Sequence, residues 1–308
     1  MVGVSVVRED VEFAGAQGTL LRGWLYLPEG DVTPSRGLVM AHGLSATRRM
    51  ALPEYAEVFR ASGIAVLVYD HRNLGDSNGE PRQAVNPWAQ SRDYLYAVSY
   101  LAARPEVDAD RIAVWGSSFS GGPALVSASV DDRIKAVVAS VPFGYVAGLD
   151  YADRTQVDAR YKVIADIIGD ESGAGRADKV ASSLGPFPMV PEEPGGPGVL
   201  TDDVSREWFL GWRAQPDNNW VNEVTLQNYS NEFDPGACAI NLAKPALFIL
   251  AAQENLSGLS LEGYAPVFDR VSEPKRRIVL DGGHFCPYSG TGLAEASAAT
   301  RDFLLEYL

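Results

Sequence analysis

Short apolar runs alternate along the chain with longer amphipathic stretches. This alternation is typical of the buried strands and crossover helices of a mostly parallel sheet. The beginning of the chain differs, because the apolar stretches Val4 to Phe13 and Leu20 to Leu27 are separated only by the glycine-bearing segment 14–18. This spacing indicates an antiparallel hairpin that precedes the parallel strands.

Beyond the hairpin, the pattern predicts six further strands and the helices that connect them. An α/β fold follows, with a mostly parallel eight-stranded sheet flanked by helices. The predicted strands are Gly37 to His42, Ile64 to Asp70, Arg111 to Trp115, Ile134 to Val141, Ala246 to Ala251 and Arg277 to Leu280. The predicted helices are Pro53 to Ser62, Pro87 to Ala103, Phe119 to Val130 and Ala294 to Leu308.

The stretch between Pro142 and Pro245 is too long, at about a hundred residues, to be a plain loop in a compact core. It contains a Pro/Gly-rich segment between two helical patterns, Tyr151 to Ile168 and Asp203 to Ala214. We interpret it as a helical cap over the carboxyl edge of the sheet. The predicted division is a core of residues 1–143 and 240–308 and a cap of residues 144–239.

Composition and charge narrow the function classes. The 308 residues carry 40 acidic against 26 basic side chains, for a net charge of −14. No apolar run reaches the ~20 residues that span a bilayer, and no Lys/Arg stripe could neutralise phosphates, so neither a membrane nor a nucleic acid partner is expected. The N-terminus lacks the pattern of a secretory signal, which predicts a cytoplasmic protein. Cys238 and Cys286 stand apart and predict neither a disulfide framework nor a zinc site.

A serine-rich turn follows the predicted strand that ends at Trp115. In the run Gly116-Ser117-Ser118-Phe119-Ser120-Gly121-Gly122, small residues stand two positions before and two positions after Ser118. A nucleophile on a sharp strand-to-helix turn needs small residues there, because strand and helix nearly touch. Centring the turn on Ser117 would put bulky Trp115 and Phe119 at those positions. We therefore predict Ser118 as the nucleophile, with a serine where the common G-x-S-x-G form has its last glycine.

A serine hydroxyl needs a base to become a nucleophile, and the base needs an acid to hold its tautomer. The chain has three histidines, and His284 follows the serine whereas His42 and His71 precede it. The order serine, acid, histidine is that of hydrolase sheets of this type. His284 lies on a glycine-bearing loop after the last predicted strand. We predict it as the base.

The acid is expected on the loop after the strand Ala246 to Ala251, which precedes the strand of His284. Glu254 stands on that loop and is the predicted acid. Three aspartates remain alternatives, of which the first is the nearest rival in sequence: Asp281, Asp269 and Asp234.

Acyl transfer also needs hydrogen-bond donors aimed at the developing oxyanion. The backbone N–H of Phe119, directly after the nucleophile, is one candidate, and that of Leu44 in the segment His42-Gly43-Leu44 is the other. Most cap aromatics are expected to form the cap's own core, while one or two face a ligand. The candidates for substrate binding are Trp88, Tyr145, Trp208 and Trp212.

Several segments carry a resemblance to a known family. They are Met40-Ala41-His42-Gly43-Leu44-Ser45-Ala46-Thr47-Arg48-Arg49, Tyr69-Asp70-His71-Arg72-Asn73-Leu74-Gly75-Asp76-Ser77-Asn78-Gly79, the serine turn, and Gly282-Gly283-His284-Phe285-Cys286-Pro287-Tyr288. On these segments the chain resembles an α/β-hydrolase of the group related to dienelactone hydrolase. Trp220-Val221-Asn222-Glu223-Val224-Thr225-Leu226, with Phe233-Asp234-Pro235, is similar to a subset that includes fungal polyketide transferases and toxin-biosynthesis hydrolases.

The resemblance implies an α/β-hydrolase fold and a triad, in which Glu254 would stand where the family usually has aspartate. It implies no metal and no organic cofactor. The sequence agrees, since it has no histidine–carboxylate cluster at metal spacing and no glycine-rich phosphate loop after the first strand. The expected partner is a small-molecule acyl substrate, free or carrier-bound, and a homodimer is left open.

The first hypothesis is a serine hydrolase that cleaves an ester, lactone or thioester through an acyl-enzyme. Two other reactions fit the same residues. One is transfer of a carrier-bound polyketide acyl group to an alcohol, and the other is hydrolysis of a carbon–carbon bond in a β-diketone-like compound. The alternative without catalysis is a ligand-binding protein on a hydrolase fold. Such proteins usually lose a triad member, whereas all three positions here hold chemically competent residues.

Overall fold

The computed structural model describes residues 8–30, 34–170, 179–228, 230–256 and 259–308. Its first element is the predicted hairpin, in which β1 (Arg8–Ala14) pairs antiparallel with β2 (Leu20–Tyr26). The register places Glu12 opposite Arg22, and their side chains form an ion pair of 2.7 Å. The first residues of the predicted strand Val4 to Phe13 lie outside the described part of the chain.

The other predicted strands and helices are also found, with ends that differ by a few residues. The structure adds five elements that the sequence did not predict, Ala84–Val85, Ser183–Phe187, Val224–Gln227, Pro235–Ile240 and Leu261–Phe268. The strands are β3 (Ser35–Ala41), β4 (Ile64–Tyr69), β5 (Ala84–Val85), β6 (Val107–Ser117), β7 (Ile134–Ser140), β8 (Ser183–Phe187), β9 (Val224–Gln227), β10 (Ala246–Ala251) and β11 (Lys275–Leu280). The helices are α1 (Leu52–Arg60), α2 (Pro87–Ala102), α3 (Gly121–Val130), α4 (Arg154–Gly169), α5 (Asp203–Arg213), α6 (Pro235–Ile240), α7 (Leu261–Phe268) and α8 (Gly290–Tyr307).

Among the described residues, eight strands form the main sheet, in the order β1-β2-β4-β3-β6-β7-β10-β11. β2 pairs antiparallel with both β1 and β4, and the neighbours from β4 to β11 run parallel. The predicted mostly parallel sheet of eight strands is therefore confirmed. Because parallel strands share a direction, the loops that follow β3, β6, β10 and β11 all leave from one edge of the sheet.

Helices cover both faces of this sheet. Successive strand residues point to opposite faces, so two apolar neighbours in β3 pack into different cores. Val39 belongs to a buried cluster that contains Leu101 of α2, and Met40 belongs to a second cluster that contains Phe59 of α1 and Phe303 of α8. The carboxyl edge is thus the side of the sheet on which the functional loops gather.

The segment between β7 and β10, which we call the inserted segment, has two parts that lie in different places. α4 flanks the core, where its Ile164 and Ile168 share a buried cluster with Trp88 of α2. α5 lies over the carboxyl edge, because its Phe209 is buried in a cluster with Phe119. The sequence pattern predicted a cap over the edge for the whole segment, and the position of α4 differs from that expectation because its apolar side chains pack against α2.

A second, smaller sheet was not predicted. It has three strands in the order β5-β9-β8. β5 comes from the stretch between β4 and α2, and it pairs parallel with β9 of the inserted segment, with Ala84 opposite Thr225. This pairing ties the inserted segment to the core.

Candidate active site

The chain turns from strand to helix at Ser118. β6 ends at Ser117, one 3-10 turn follows, and α3 begins at Gly121. Ser118 has a φ of 52°, in the left-handed region that residues other than glycine seldom occupy. A Cβ at Gly116 would overlap the Ser120 carbonyl oxygen, so the approach of strand and helix requires glycine there. The turn has the strained geometry that the sequence predicted.

Ser118 and its neighbour Ser117 have different partners. Ser118 Oγ lies 2.9 Å from His284 Nε2. Ser117 is fully buried, and its hydroxyl forms a hydrogen bond with the Tyr288 hydroxyl. Ser118 is therefore the serine of this turn whose hydroxyl contacts His284.

His284 connects Ser118 to Glu254. Its Nδ1 lies 2.9 Å from Glu254 Oε2, and the two side chains are 2% and 4% exposed. A carboxylate oxygen can accept the Nδ1–H of His284, and this tautomer leaves Nε2 to accept a hydrogen bond from the Ser118 hydroxyl. The second oxygen of Glu254 accepts the backbone N–H of Leu256 at 2.9 Å, which fixes the carboxylate.

None of the three aspartates considered as alternative acids has a hydrogen bond to His284 among the described residues. Asp281 accepts a hydrogen bond from a glutamine side chain at 2.7 Å. Asp234 is fully buried, caps α6, and accepts a hydrogen bond from a tyrosine hydroxyl at 2.7 Å. Asp269 is the residue that ends α7. Of the four carboxylates, Glu254 is the one that reaches His284.

Asn255 holds the loop of His284 in place. Its Oδ1 accepts the His284 backbone N–H at 3.0 Å, and its Nδ2 donates to Asp202 Oδ1 at 3.0 Å. Asp202 caps the N-terminus of α5, so Asn255 links this loop to the helix over the site. Sequence reasoning missed Asn255, although its place directly after the predicted acid was a signal.

The two other histidines are buried and have local partners. His42 Nδ1 accepts the backbone N–H of Gly43 at 2.7 Å, and burial lowers the pKa of His42 to about 3. Burial, with a smaller effect of the Arg72 charge, lowers the pKa of His71 to about 3 as well. His71 Nε2 forms a hydrogen bond of 2.8 Å with Ser120 Oγ. Neither histidine is the one that contacts Ser118 Oγ.

The loop after β3 passes close to the candidate nucleophile. A Cβ at Gly43 would come within 2.7 Å of Ser118 Cβ and 2.9 Å of the Ser117 carbonyl oxygen. Leu44 follows in this loop, and Leu44 and Phe119 line a cavity together with Ser118. The structure thus brings both predicted oxyanion residues next to the serine.

In the part of the chain that the structure describes, a larger and a smaller cavity border Ser118. The first, which we call the main cavity, measures about 500 Å³ and is lined by Leu44, Ser118, Phe119, Phe143, Val199, Leu200, Thr201, Asp202, Leu226, Asn255, Leu256 and Leu259. The second, which we call the aromatic slot, measures about 20 Å³ and is lined by His42, Gly43, Leu44, Ala46, Ser118, Met189, Leu200, Trp208, Phe209, His284, Phe285 and Tyr288. Ser118 lines both cavities, and His284 lines the slot.

Two of the four aromatic residues predicted to bind substrate lie at this end of the molecule. Trp208 of α5 lines the aromatic slot, with its ring 4.9 Å from the ring of Phe285. Trp212 is half-buried and lies 6.3 Å from Trp208 between ring centroids. Trp212 is not among the described residues that line either cavity, so it supports Trp208 from one turn further along the helix.

The other two predicted aromatics are corrected by the structure. Trp88 is fully buried and packs edge-on against Phe233, with ring centroids 5.1 Å apart. Tyr145 packs edge-on against Tyr264 at 4.9 Å, inside the core that α2 and α3 share. Large aromatic side chains contribute strongly to cores when buried, and these two belong to the core and not to the cavities at Ser118.

Within the described ranges, no group of three or more His, Cys, Asp or Glu side chains is placed to hold a metal ion. None of the helices described is both long enough and apolar enough to cross a lipid bilayer. Cys238 is buried, Cys286 is half-buried, and both are free thiols.

The stretch that carries the serine turn and the histidine loop matches a known protein family. Residues 38–291 match the alpha/beta hydrolase fold family, and the chain belongs to this family. The match begins in β3 and ends at the start of α8. It confirms the fold class that the sequence predicted, and it places the chain in a family of enzymes.

Individual relatives show which members of the family the chain is similar to. The chain is 29% identical over 306 residues to "Polyketide transferase af380" of Aspergillus fumigatus, covering 98% of this chain and 99% of the relative. It is 32% identical over 301 residues to a "Thiohydrolase" of Eupenicillium brefeldianum, covering 94% and 92%. The crystal structure of the alpha/beta hydrolase GrgF from Penicillium sp. sh18 superimposes with a TM-score of 0.73 at 25% identity, covering 97% and 98%. These likenesses confirm the resemblance to fungal polyketide transferases and toxin-biosynthesis hydrolases.

Proposed function

We propose that this chain is a serine hydrolase that cleaves an ester, lactone or thioester through an acyl-enzyme on Ser118. The observation that carries the proposal is the hydrogen-bond chain from Ser118 through His284 to Glu254, with 2.9 Å at each of its two links. A serine hydroxyl is a weak nucleophile until an adjacent base takes its proton. A chain of this kind supplies both the base and the group that orients it.

In acylation, His284 Nε2 takes the hydroxyl proton while Ser118 Oγ attacks the carbonyl carbon of the substrate. Glu254 keeps the proton on Nδ1 and stabilises the imidazolium that forms. The backbone N–H groups of Leu44 and Phe119 bind the negative carbonyl oxygen. When the tetrahedral intermediate collapses, His284 gives its proton to the leaving alcohol or thiol, and the acyl group stays on Ser118.

In deacylation, water takes the place of the leaving group. The aromatic slot borders both Ser118 and His284, and its volume of about 20 Å³ has room for about one water molecule. His284 Nε2 takes a proton from this water as its oxygen attacks the acyl carbonyl carbon. The proton then passes to Ser118 Oγ, which leaves, and the product is a carboxylic acid.

The main cavity supports a small-molecule substrate with an apolar acyl group. Its volume of about 500 Å³ is in the range of small-molecule sites, and most of its lining side chains are aliphatic or aromatic. The carboxylate of Asp202 lines this cavity, so it disfavours an acyl chain whose far end carries a negative charge. The similarity to a thiohydrolase favours a thioester among the three substrate classes.

Acyl transfer to an alcohol is the second candidate, because a relative that aligns over nearly the whole chain is named a polyketide transferase. Transfer and hydrolysis share the acyl-enzyme and differ only in the acceptor. The small volume of the slot favours water as the acceptor. A free or carrier-bound acyl donor is compatible with either reaction.

Capture of the acyl-enzyme tests the proposal. Wild-type protein and the Ser118→Ala variant are each mixed with a thioester or with an oxygen ester of the same straight-chain acid. The reactions are quenched in acid, and the intact mass of each protein is measured. We expect an acyl mass on the wild type alone, together with a rapid first release of thiol or alcohol. Undiminished hydrolysis by Ser118→Ala would overturn the proposal. Addition of alcohols then separates the two candidates, since hydrolysis gives the acid and transfer gives a new ester.

A further inference from the structure

Trp220 belongs to the segment that resembles the fungal subset, and the proposed chemistry gives it no role. It lies between α5 and β9 and is 5% exposed. Its ring packs against Phe209 of α5, with centroids 5.0 Å apart, and Phe209 lines the aromatic slot. Its indole Nε1–H donates to Ser45 Oγ at 3.1 Å, so it joins the inserted segment to the loop after β3.

Ser45 is the residue directly after the candidate oxyanion donor Leu44. Its side chain is buried, and its φ of 53° lies in the left-handed region. The Ala46 N–H donates to the Gly43 carbonyl oxygen at 3.2 Å, which closes a turn around Leu44 and Ser45. Such a backbone conformation costs about 1–3 kcal/mol and persists only where surrounding groups hold it. The hydrogen bond from Trp220 is one of the contacts that hold it.

A second contact attaches the inserted segment to the loop after β3. Asn219 Nδ2 donates to Asp76 Oδ1 at 2.8 Å. Asp76 Oδ2 in turn accepts hydrogen bonds from Arg48 Nη2 at 2.6 Å and from Arg49 Nη2 at 2.9 Å. Residues 219–220 therefore hold the loop at two points, directly at Ser45 and through Asp76 at the two arginines.

We propose that Ser45 and Trp220 are positioning residues whose hydrogen bond orients the Leu44 backbone N–H toward the oxyanion. The inference rests on the proposed serine hydrolase function. Because Trp220 also packs against Phe209, the position of α5 over the site and the orientation of the donor are coupled. The inserted segment thus helps to build the oxyanion site in addition to covering it.

The expected loss of kcat depends on how far the substitution impairs the Leu44 N–H as an oxyanion donor. Removal of one oxyanion donor typically costs about 10²–10³ in rate. In a Trp220→Phe variant the Leu44 N–H is still present but less well oriented, so we expect a smaller loss, of about tenfold in kcat. KM is expected to change by less than about twofold, because the affected interaction forms in the transition state and not in the bound substrate.

The test compares Trp220→Phe with Tyr161→Phe as a matched control. Tyr161 of α4 donates its hydroxyl to the Ser129 carbonyl oxygen of α3 at 2.9 Å, so this control also removes one side-chain donor between the inserted segment and the core while it keeps the ring. Both variants are characterised by Tm, by kcat and KM for one ester, and by the rate of reaction with a fluorophosphonate. We expect both to lower Tm, but only Trp220→Phe to slow turnover and phosphonylation, by a similar factor.

A double-mutant cycle identifies the bond itself. Ser45→Gly removes the hydroxyl and tolerates the positive φ, so it tests the hydrogen bond without backbone strain. If the two residues act through one contact, the Ser45→Gly, Trp220→Phe double variant is no slower than the slower single variant.

Two results would overturn the inference. One is a Trp220→Phe variant with a lowered Tm but with wild-type kcat and phosphonylation rate, which would make the bond purely structural. The other is full additivity of the two substitutions. A wild-type protein that does not react with the fluorophosphonate at all would overturn the proposed function itself, so the two failures can be told apart.

Discussion

Ser120 Oγ lies 2.8 Å from His71 Nε2, at the position of the nucleophile turn where the common motif has glycine. Ser120 Oγ also lies 2.9 Å from the Tyr94 hydroxyl, which donates to the Trp115 carbonyl oxygen at 2.9 Å. Because burial lowers the pKa of His71 to about 3, its ring is neutral near pH 7. Because the Trp115 carbonyl oxygen only accepts, the Tyr94 hydroxyl donates to it and the Ser120 hydroxyl donates to Tyr94. His71 Nε2–H then donates to Ser120, so a one-way chain of donors ends on β6, the strand that carries the turn.

This chain predicts a structural role for the Ser120 hydroxyl. In Ser120→Ala, the His71 N–H is left buried without its partner, so we expect a loss of about 1–3 kcal/mol in the free energy of unfolding. Urea unfolding measures it. Ser129→Ala in α3, the helix that follows the turn, is the control, because it removes a hydroxyl whose hydrogen bond to the Val126 carbonyl oxygen is local and part-buried. Equal stability of the two variants would contradict the chain.

Gly43 is expected to be required for reactivity. In Gly43→Ala, the new methyl group would come within 2.7 Å of Ser118 Cβ, so either the nucleophile turn or the Leu44 loop must shift. Misplacement of a reacting group by about 1 Å can cost about 10² in rate. We expect a loss of this size in kcat/KM with a folded protein by circular dichroism. Gly30→Ala is the control, because a Cβ at this position meets no neighbour. The positive φ of residue 30 is unfavourable for alanine, so this variant is expected to lose stability but not activity. A fully active Gly43→Ala would show that the approach of the two loops is unimportant.

The identity of the acid is tested by two isosteric changes. Glu254→Gln keeps the size of the side chain but cannot hold the His284 tautomer in the same way, and we expect kcat to fall by about 10²–10⁴. Asp281→Asn serves as the control, since Asp281 contacts a glutamine and not His284. We expect its kcat to stay within about twofold of wild type. Reversal of the two results in steady-state assays would assign the role to Asp281.

The buried histidine His71 predicts a pH dependence of stability. Its pKa in the folded protein is about 3, below the ordinary value of 6.5, so folding favours the neutral ring. The unfolded chain therefore binds more protons between these two values, and stability is retained above about 6.5 and lost as the pH falls toward 3, by up to about 1.4 kcal/mol per pH unit. Urea unfolding from about pH 7 to about pH 5 measures the slope.

The matched variant for this pH dependence is His71→Gln. Glutamine does not titrate, and its amide can still donate toward Ser120 Oγ. We expect the variant to show a shallower decline of stability than wild type over the same pH range. An unchanged slope would mean that His71 does not change its protonation between the folded and unfolded states.

Local patterns predicted most of the fold and the candidate site. The run of small residues around Ser118 and the place of His284 after the last strand are local signals, and the structure brings both side chains to one hydrogen bond. Glu254 was predicted because it stands on the loop after the strand that precedes the strand of His284, and its carboxylate contacts His284. These inferences needed the periodicity of strands and the order serine, acid, histidine along the chain.

Other features depend on contacts between distant parts of the chain. The pairing of β5 with β9 joins residues far apart, and two residues are too short a strand to show a period. Trp88 was taken for a candidate pocket residue because composition does not distinguish an aromatic side chain in a core from one at a ligand. The bond between Ser45 and Trp220 depends on a backbone angle and on where the segment of Trp220 lies in the fold, and no local pattern predicts either of them.

The most direct measurement of the central claim is the intact mass of wild-type protein and Ser118→Ala after treatment with a fluorophosphonate, which reacts with activated serines. We expect a single phosphonyl adduct on the wild type and none on the variant. Peptide mapping of the wild-type adduct is expected to place it on Ser118 and not on Ser117. An adduct of equal yield on both proteins, or no adduct on either, would contradict the assignment of Ser118 as an activated nucleophile.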